Sequence, residues 1–280
     1  MNLKGAKIVV TGASSGIGKE VLERLKEYDC TIVATSRTIE ETAEAKVTES
    51  DAAEPSAAEP DAAEPSAAKP NPTDPNRENI YYKNFDLSEK SDIDKLFDYA
   101  LEKMGRIDLF IANAGFMYYE TIYPADFEHI DQIFRLNTTG VIYSAVKMKE
   151  ICKESPYNFV AVGSGFGFLS YPGYALYCST KAALRGFGQG YKYELLPNQH
   201  YQSVYPIAVK TDFFRKAGCD APPKPQQSKE HVAKSIIRGI EKNQAEIYPS
   251  KSFWFLKTFF PYLLNLGVLM EKGKFRKKLK

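Results

Sequence analysis

The residues best suited to chemistry in this chain are a tyrosine and a lysine in the run Tyr177-Cys178-Ser179-Thr180-Lys181. If this run is helical, residues four apart lie above one another with Cβ atoms about 5–6 Å apart, so the phenol and the ammonium share one face. A tyrosine with a pKa near ~10 exchanges protons poorly at neutral pH, and a nearby cation favours its phenolate. We therefore expect Lys181 to lower the pKa of Tyr177. Alone the pattern is weak evidence, since most such pairs are solvated neighbours on a helix surface.

Two further polar residues, Ser164 and Asn137, occupy positions that could complete a site. Ser164 follows residues 158–163, a run typical of a buried strand entering a glycine-rich loop, so its hydroxyl is expected to face the phenol across a cleft. Asn137 lies near the middle of a helix predicted from about 127 to 149. Asparagine is a mediocre helix former, so this position invites a functional explanation, with surface decoration as the plain alternative.

A glycine-rich turn follows the first predicted strand. Lys7-Ile8-Val9-Val10 has no polar alternation, as expected of a parallel strand that is buried on both faces. The run Thr11-Gly12-Ala13-Ser14-Ser15-Gly16-Ile17-Gly18 comes next, and a helix is predicted from Lys19 to Tyr28. Glycines let a backbone approach a pyrophosphate, and a helix N-terminus offers free N–H groups, so this context predicts a dinucleotide site rather than an ordinary turn.

The end of the second predicted strand, residues 31–35, bears on which dinucleotide is bound. An acidic residue near this point typically holds the ribose 2′-hydroxyl of NAD, whereas an arginine accommodates the 2′-phosphate of NADP. Here the sequence reads Ser36-Arg37-Thr38, which favours NADP(H) over NAD(H). The alternative is that Arg37 is a solvated loop charge, since Glu40 and Glu41 follow closely.

The remaining pattern alternates strands with helices. Further strands are predicted at 80–85, 107–112, 158–163, 203–205 and 246–248, and helices at about 89–104, capped by Ser88 and stopped at Gly105, and at 228–242. This alternation predicts an α/β fold, a Rossmann-type doubly wound parallel sheet of about seven strands with helices on both faces.

Composition narrows the class of protein. With 280 residues and 44% hydrophobic content, the chain can bury one large core. A net charge of +2 argues against nucleic acid as a partner. The four cysteines, at 30, 152, 178 and 219, have no metal-ligand spacing and are interpreted as small buried or half-buried thiols in a reducing cytoplasm. The first apolar segment is needed as a strand, so no signal peptide is expected. The cysteine spacing gives no reason to expect a metal site.

Two segments stand apart from this single domain, which we assign to residues 1–250. Residues 45–78 form an acidic, alanine- and proline-rich insertion with prolines at 55, 60, 65, 70 and 75, predicted to be disordered or polyproline-like. It is either a tether or docking segment or a repeat expansion in a tolerant loop. Residues 251–280 form an extension that is apolar to Met270, while residues 271–280 carry six basic residues and one acid.

At this point the chain resembles the short-chain dehydrogenase/reductase family, over residues 4 to about 250 apart from the insertion. The glycine turn Thr11–Gly18, Asp86 after the third strand and Asn113-Ala114-Gly115 match family motifs. The family's catalytic Asn, Ser, Tyr and Lys fall, in order and spacing, on Asn137, Ser164, Tyr177 and Lys181. One departure is Ile207, where the family usually has glycine after the sixth strand. Ile207 does not readily adopt positive φ, so this loop is expected to be shaped differently, although Thr211 matches the family threonine.

The resemblance implies a mechanism and a set of contacts. Tyr177 would exchange a proton with a carbonyl oxygen held by Ser164, Lys181 would bind the nicotinamide ribose, and Asn137 would hold a water linked to Lys181. The resemblance also implies assembly into a homodimer or homotetramer through helices near 127–149 and 177–196. The implied cofactor-binding residues are Thr11, Gly12, Ser14, Ser15, Gly16, Ile17, Gly18, Ser36, Arg37, Asp86, Leu87, Asn113, Ala114, Gly115, Tyr177, Lys181, Pro206, Val209 and Thr211.

The predicted function is an NADP(H)-dependent oxidoreductase that interconverts a carbonyl and a secondary alcohol. Phe213-Phe214 and the apolar extension favour an apolar, lipid- or steroid-like substrate over a sugar. The apolar run of the extension is too short to span a bilayer. It either lies as a peripheral segment on the cytoplasmic face of a membrane, or it closes the substrate pocket or packs in an oligomer. The rival function is a catalytically idle dinucleotide sensor or scaffold acting through the acidic insertion.

Overall fold

A computed structural model describes residues 1–38, 79–219 and 222–264, and residues 266 and 268 beyond them. In this part of the chain seven parallel strands form one sheet, in the order β3-β2-β1-β4-β5-β6-β7. The strands are β1 (Lys7–Thr11), β2 (Thr31–Ser36), β3 (Ile80–Asn84), β4 (Leu109–Ala112), β5 (Tyr157–Val162), β6 (Gln199–Val204) and β7 (Glu246–Ile247). The predicted fold class, a doubly wound Rossmann-type sheet, is therefore confirmed.

Helices cover both faces of the sheet. They are α1 (Gly16–Leu25), α2 (Lys90–Met104), α3 (Phe127–Phe134), α4 (Gly140–Cys152), α5 (Ala175–Tyr191), α6 (Phe213–Lys216), α7 (Lys229–Glu241) and α8 (Lys251–Phe259). Apolar side chains of α1 and α7 pack on one face of the sheet, with Ile8 and Val10 of β1. Those of α2, α4 and α5 pack on the other face, with Val9. Successive β1 residues thus enter opposite cores, which explains a strand without polar alternation.

Strand β6 is longer than predicted, because its first half is polar and yet buried. Gln202 is fully buried, and its side-chain amide donates to Gly239 O and to Gln244 O, both at 3.0 Å. Gln199 donates from its side chain to Lys153 O at 2.6 Å. These hydrogen bonds offset the loss of hydration, so a polar run can occupy an interior strand.

The ends of α2 test two local predictions. Gly105 ends the helix in a left-handed conformation, as predicted. The predicted Ser88 cap is wrong, since the residue at the N-cap is Glu89. Ser88 instead directs its hydroxyl to Asp86 Oδ1 at 2.7 Å, so that its side chain is used in the preceding turn.

The two unusual segments are only partly covered by the structure. The predicted insertion at 45–78 lies outside the described residues, but the strands flanking it, β2 and β3, pair in parallel with Ser36 opposite Asn84. Among the residues that are described, no helix is long and apolar enough to cross a membrane. The pairing of subunits through helices near 127–149 and 177–196 concerns a second chain and stays a prediction.

The close approach of α5 to β6 requires glycine at position 188. A Cβ added there would lie 2.5 Å from Tyr201 Cε1 and 2.9 Å from Ser203 Oγ. Tyr201 is itself buried, so its ring has little room to move. Because α5 carries Tyr177 and Lys181, this contact helps set the position of both residues relative to the sheet.

We expect Gly188→Ala to lower the free energy of unfolding by about 1–3 kcal/mol, because the methyl group overpacks the α5–β6 contact. Gly190→Ala is the matched control, since a Cβ at this position of the same helix meets nothing within 4 Å. The control should raise stability by up to about 1 kcal/mol through reduced chain entropy. Urea unfolding of both variants measures the difference, and equal stabilities would contradict the close approach.

Candidate active site

A crevice of about 740 Å³ opens beside the carboxyl ends of the central strands. This is where ligands bind in open parallel sheets. It brings together most of the predicted site residues: Gly12, Ser14, Ser15, Gly16, Ile17, Ser36, Arg37, Leu87, Asn113, Ala114, Gly115, Ser164, Tyr177, Lys181, Pro206, Val209 and Thr211. Four predicted residues are not among its lining: Thr11, Gly18, Asp86 and Asn137.

The glycine turn forms one end of the crevice. A Cβ at Gly18 would collide with Gly12 O, so the packing of the turn requires glycine there, and contact of Gly18 with the cofactor stays a prediction. Thr11 is also structural, because its hydroxyl donates to Ile111 O and accepts from Asn113 N, which ties β1 to β4. The α1 N-cap, Ser15, makes no side-chain capping bond, and the first turn contains no acid. The N–H groups of this turn are thus suited to an anionic ligand.

The neighbouring wall carries an unpaired hydroxyl beside a cation. Ser36 is buried, and its Oγ has no hydrogen-bond partner among the residues that the structure describes. Arg37 follows it on the crevice wall. A buried hydroxyl without a partner is unfavourable unless a ligand satisfies it, so this corner fits a ligand with polar groups such as a ribose or its phosphate.

Asp86 has a different environment from the one that the sequence implied. Its Oδ1 accepts from the backbone N–H of Ser88 at 3.0 Å and from the Ser88 hydroxyl at 2.7 Å. The flanking residues Phe85 and Leu87 line the crevice instead. The role of Asp86 in cofactor contact stays a prediction, while its observed contacts stabilise the turn after β3.

Asn137 lies in a π-helical segment, Arg135–Thr139, between α3 and α4. A π-turn within a helix often marks a functional site. The side chain is fully buried, its Nδ2 donates to Phe116 O at 2.7 Å, and its Oδ1 accepts from Phe116 N at 3.0 Å. The alternative interpretation, that Asn137 is an exposed residue without a role, is therefore wrong. Asn137 fixes the backbone that follows β4, directly beside Gly115.

Tyr177, Ser164 and Lys181 converge as the sequence predicted. Tyr177 lies in the first turn of α5, and Ser164 follows β5, with its hydroxyl close enough to the phenol to act on the pKa of Tyr177. Lys181 Nζ donates to Val162 O, the last residue of β5, at 2.9 Å. Its ammonium lies 5.7 Å from the centre of the Tyr177 ring. All three side chains are buried.

The electrostatic prediction for Tyr177 is wrong in this arrangement. Burial raises the pKa of the phenol above its ordinary value, and the Ser164 hydrogen bond lowers it by less. The Tyr177 ring meets Phe166 and Phe213 edge-on, so its surroundings are largely apolar. Burial also lowers the pKa of Lys181 to about 8. At neutral pH the phenol therefore holds its proton and can donate it.

The loop after β6 carries Ile207 where the family pattern has glycine, and a difference in shape from other members stays a prediction. Ile207 is not among the described residues with positive φ. The loop is instead held by Gln227, whose backbone bridges Val209 and whose N–H donates to Ala208 O at 2.8 Å. Pro206, Val209 and Thr211 still reach the crevice.

The other end of the crevice is apolar, and the sequence revealed it only in part. Phe213 and Phe214 line it as predicted. Sequence reasoning missed Phe116, Met117 and Phe166, although the aromatic run directly after Asn113-Ala114-Gly115 is a signal that could have identified the first two. The extension contributes as well, since Phe253 and Leu256 of α8 line the same wall. This favours the pocket-closing interpretation for that face of α8.

Comparison with known proteins places this geometry in a family. The family model described as short chain dehydrogenase matches residues 6–70 and 56–221. The chain belongs to the short-chain dehydrogenase family. A curated relative, the 3-ketodihydrosphingosine reductase of Dictyostelium discoideum, is 28% identical over 260 residues, which cover 88% of this chain and 75% of the relative.

Solved structures of the family share the fold. A short-chain dehydrogenase/reductase from Burkholderia phymatum in complex with NAD has a TM-score of 0.73 at 17% identity, covering 95% of this chain and 96% of that one. A short-chain dehydrogenase from Sphingobium yanoikuyae in complex with NADPH has a TM-score of 0.69 at 22% identity, covering 88% of each chain.

Family membership establishes the general activity. The protein is an oxidoreductase of the short-chain dehydrogenase family that acts on CH–OH or C=O groups and uses a nicotinamide dinucleotide. The crevice fits that cofactor on its own evidence, through the glycine turn at α1 and the unpaired Ser36 hydroxyl.

The buried Lys181 ammonium predicts a pH effect on stability. Its pKa is about 8 in the folded protein and near ~10.4 when unfolded, so between these values the unfolded state binds more protons. Stability should therefore rise with pH from about 8 to about 10, by at most about 1.4 kcal/mol per pH unit. Urea unfolding of wild type and Lys181→Met across this range isolates the effect, because the variant lacks the group. Parallel pH curves for the two proteins would refute it.

Proposed function

We propose that this protein is an NADP(H)-dependent carbonyl reductase or alcohol dehydrogenase acting on an apolar substrate. The observation that carries the proposal is the shared crevice. One end presents the Tyr177 phenol together with the Ser164 hydroxyl beside an apolar wall. The other end presents Arg37 next to the unpaired hydroxyl of Ser36. We include in this proposal a cytoplasmic location with contact to a membrane surface through residues 251–280.

The preference for NADP(H) rests on the charge at the Ser36–Arg37 corner. An arginine guanidinium suits a phosphate through charge-assisted hydrogen bonds. The backbone N–H groups at the start of α1 would hold the pyrophosphate, and Gly12, Ser14 and Ser15 line that path. The bound cofactor supplies a hydride for reduction or accepts one in oxidation.

Each polar residue of the site has a role in moving the proton. In reduction, Tyr177 Oη gives its proton to the carbonyl oxygen, as the protonated phenol at neutral pH permits. Ser164 Oγ hydrogen-bonds the same oxygen and orients it. Lys181, fixed by Val162 O, places its charge beside the phenol. It would hold the ribose hydroxyls of the bound cofactor. Asn137 acts through Phe116 as a positioning residue and would hold a water on the route to Lys181.

An apolar substrate is supported by the wall around Tyr177. Phe166 and Phe213 contact the phenol ring, and Phe253 closes the crevice near Gly165. Aromatic and aliphatic walls favour a bulky, lipid- or steroid-like ketone over a hydrated sugar. The relative named 3-ketodihydrosphingosine reductase agrees with that class at 28% identity. The rival, a catalytically idle sensor, does not explain why the phenol, hydroxyl and ammonium converge in one crevice.

Replacing Tyr177 by phenylalanine should lower kcat by at least about 100-fold, because the proton donor is lost. Binding of NADPH should stay close to wild type. The assay follows NADPH oxidation with a bulky bicyclic ketone and with a short hydrophilic ketose, of which only the first should be reduced by wild type. Tyr143→Phe is the control, since that phenol bonds Asp94 outside the crevice. Turnover by Tyr177→Phe, or NADPH binding by wild type without reduction of any ketone, would count against the proposal.

Arg37→Ala should weaken NADPH binding by about tenfold or more while leaving NADH binding nearly unchanged, since the lost contact is to the 2′-phosphate. Fluorescence titration with both dinucleotides measures this. The control is Arg106→Ala, because Arg106 donates to Gly5 O at the amino ends of the strands, away from the crevice. An equal loss for NADH and NADPH would remove the basis for NADP(H) preference.

A further inference from the structure

Helix α8 has two faces with different environments. The inner face is fixed to the body of the protein, because the buried Phe253 contacts Gly165 and the ring of Phe168. On the same side, Lys257 Nζ lies 5.0 Å from the centre of the Phe168 ring and 4.6 Å from that of Tyr248. These contacts anchor α8 in one orientation, so its opposite face is held away from the core.

That opposite face is aromatic and exposed. Trp254, Phe255, Phe259 and Phe260, here called the outer aromatic face, have 44%, 49%, 57% and 47% of their surface exposed. Their rings form a chain of contacts, with centroids 6.1 Å apart for Trp254 and Phe259, 5.0 Å for Phe255 and Phe259, and 5.8 Å for Phe255 and Phe260. Such a continuous apolar patch on a fixed helix marks an interaction surface.

The composition around this face indicates what it contacts. The chain continues from α8 into residues 271–280, which carry six basic residues and one acid. Lys257 does not belong to this group, since its ammonium already lies over two rings of the protein. Aromatic rings that are followed in the sequence by a basic cluster match an anionic lipid surface, where rings enter the interface and cations meet the headgroups.

We propose that the outer aromatic face docks on the surface of a bilayer that contains anionic phospholipid. Helix α8 then lies in the interface, since nine residues extend only about 14 Å and do not span the hydrocarbon core. Because the inner face of α8 lines the crevice, docking sets the crevice next to the lipid. This assignment specifies the membrane contact of the proposed function, and its test has no catalytic readout.

The chain offers a reporter at this site, because Trp254 is its single tryptophan. The full-length protein is mixed with vesicles of phosphatidylcholine alone or with added phosphatidylserine. We expect the Trp254 emission to shift to shorter wavelength with the anionic vesicles, and the shift to diminish at high salt. An unchanged emission with anionic vesicles would overturn the proposal and indicate that the face stays free. An equal shift without vesicles that depends on protein concentration would also overturn it and indicate self-association.

Variants separate this face from apolar surface elsewhere. Phe255→Ser, Phe259→Ser and Phe260→Ser together keep the Trp254 reporter and should lower the affinity for anionic vesicles at least about tenfold, measured by flotation. Tyr193→Ser with Leu196→Ser is the matched control, since both side chains are exposed outside α8. Equal flotation of the two variants would refute the assignment. Tyr177→Phe should dock like wild type, so failure of docking and failure of the proposed catalysis are distinguishable.

Discussion

The site depends on one buried hydrogen bond, from the Lys181 ammonium to the carbonyl of Val162. It joins the helix that carries Tyr177 to the strand that leads into Ser164, so these two elements are held in a fixed relative position at the crevice. A buried ammonium is unfavourable by desolvation, and the lowered pKa of Lys181, about 8, is the measure of that cost. The fold tolerates it because the group stands where a ligand and a proton donor meet.

The crevice combines two chemical environments that arise from different parts of the sheet. The polar end is made by the turn after β1 and the residues at the end of β2, where the start of α1 and Arg37 line the crevice and suit an anion. The apolar end is made by loops after β4, β5 and β6 together with α8. A hydride donor and an apolar acceptor need such neighbouring environments, because the cofactor is charged and the proposed substrate is not.

The fold could be predicted because its determinants are local and repeated. Apolar runs such as Val9-Val10 fix buried parallel strands, and the glycine turn fixes the first crossover. Right-handed connections fix the hand of each crossover, while the order of the strands comes from the structure. The features that the sequence did not predict have non-local causes. The polar start of β6 depends on the carbonyls of Gly239 in α7 and of Gln244 after it. The pKa of Tyr177 depends on burial beside rings from two other segments, Phe166 and Phe213. The inner face of α8 depends on Gly165, which is far away in sequence. None of these partners can be identified from neighbouring residues.

The π-helical segment at Arg135–Thr139 has a consequence for how this region tolerates change. An extra residue in a helical ladder turns all later residues of the helix by about 100°. Before the segment, Ile133 packs with the aromatic cluster around Tyr177, whereas after it Val141 and Ala145 pack beneath the sheet. The helix on either side of this segment therefore packs in two different cores, because the segment rotates the side chains that follow it. Deletion of one residue here would rotate one half of the helix out of its core, so the length of this segment is constrained as well as the buried Asn137 within it.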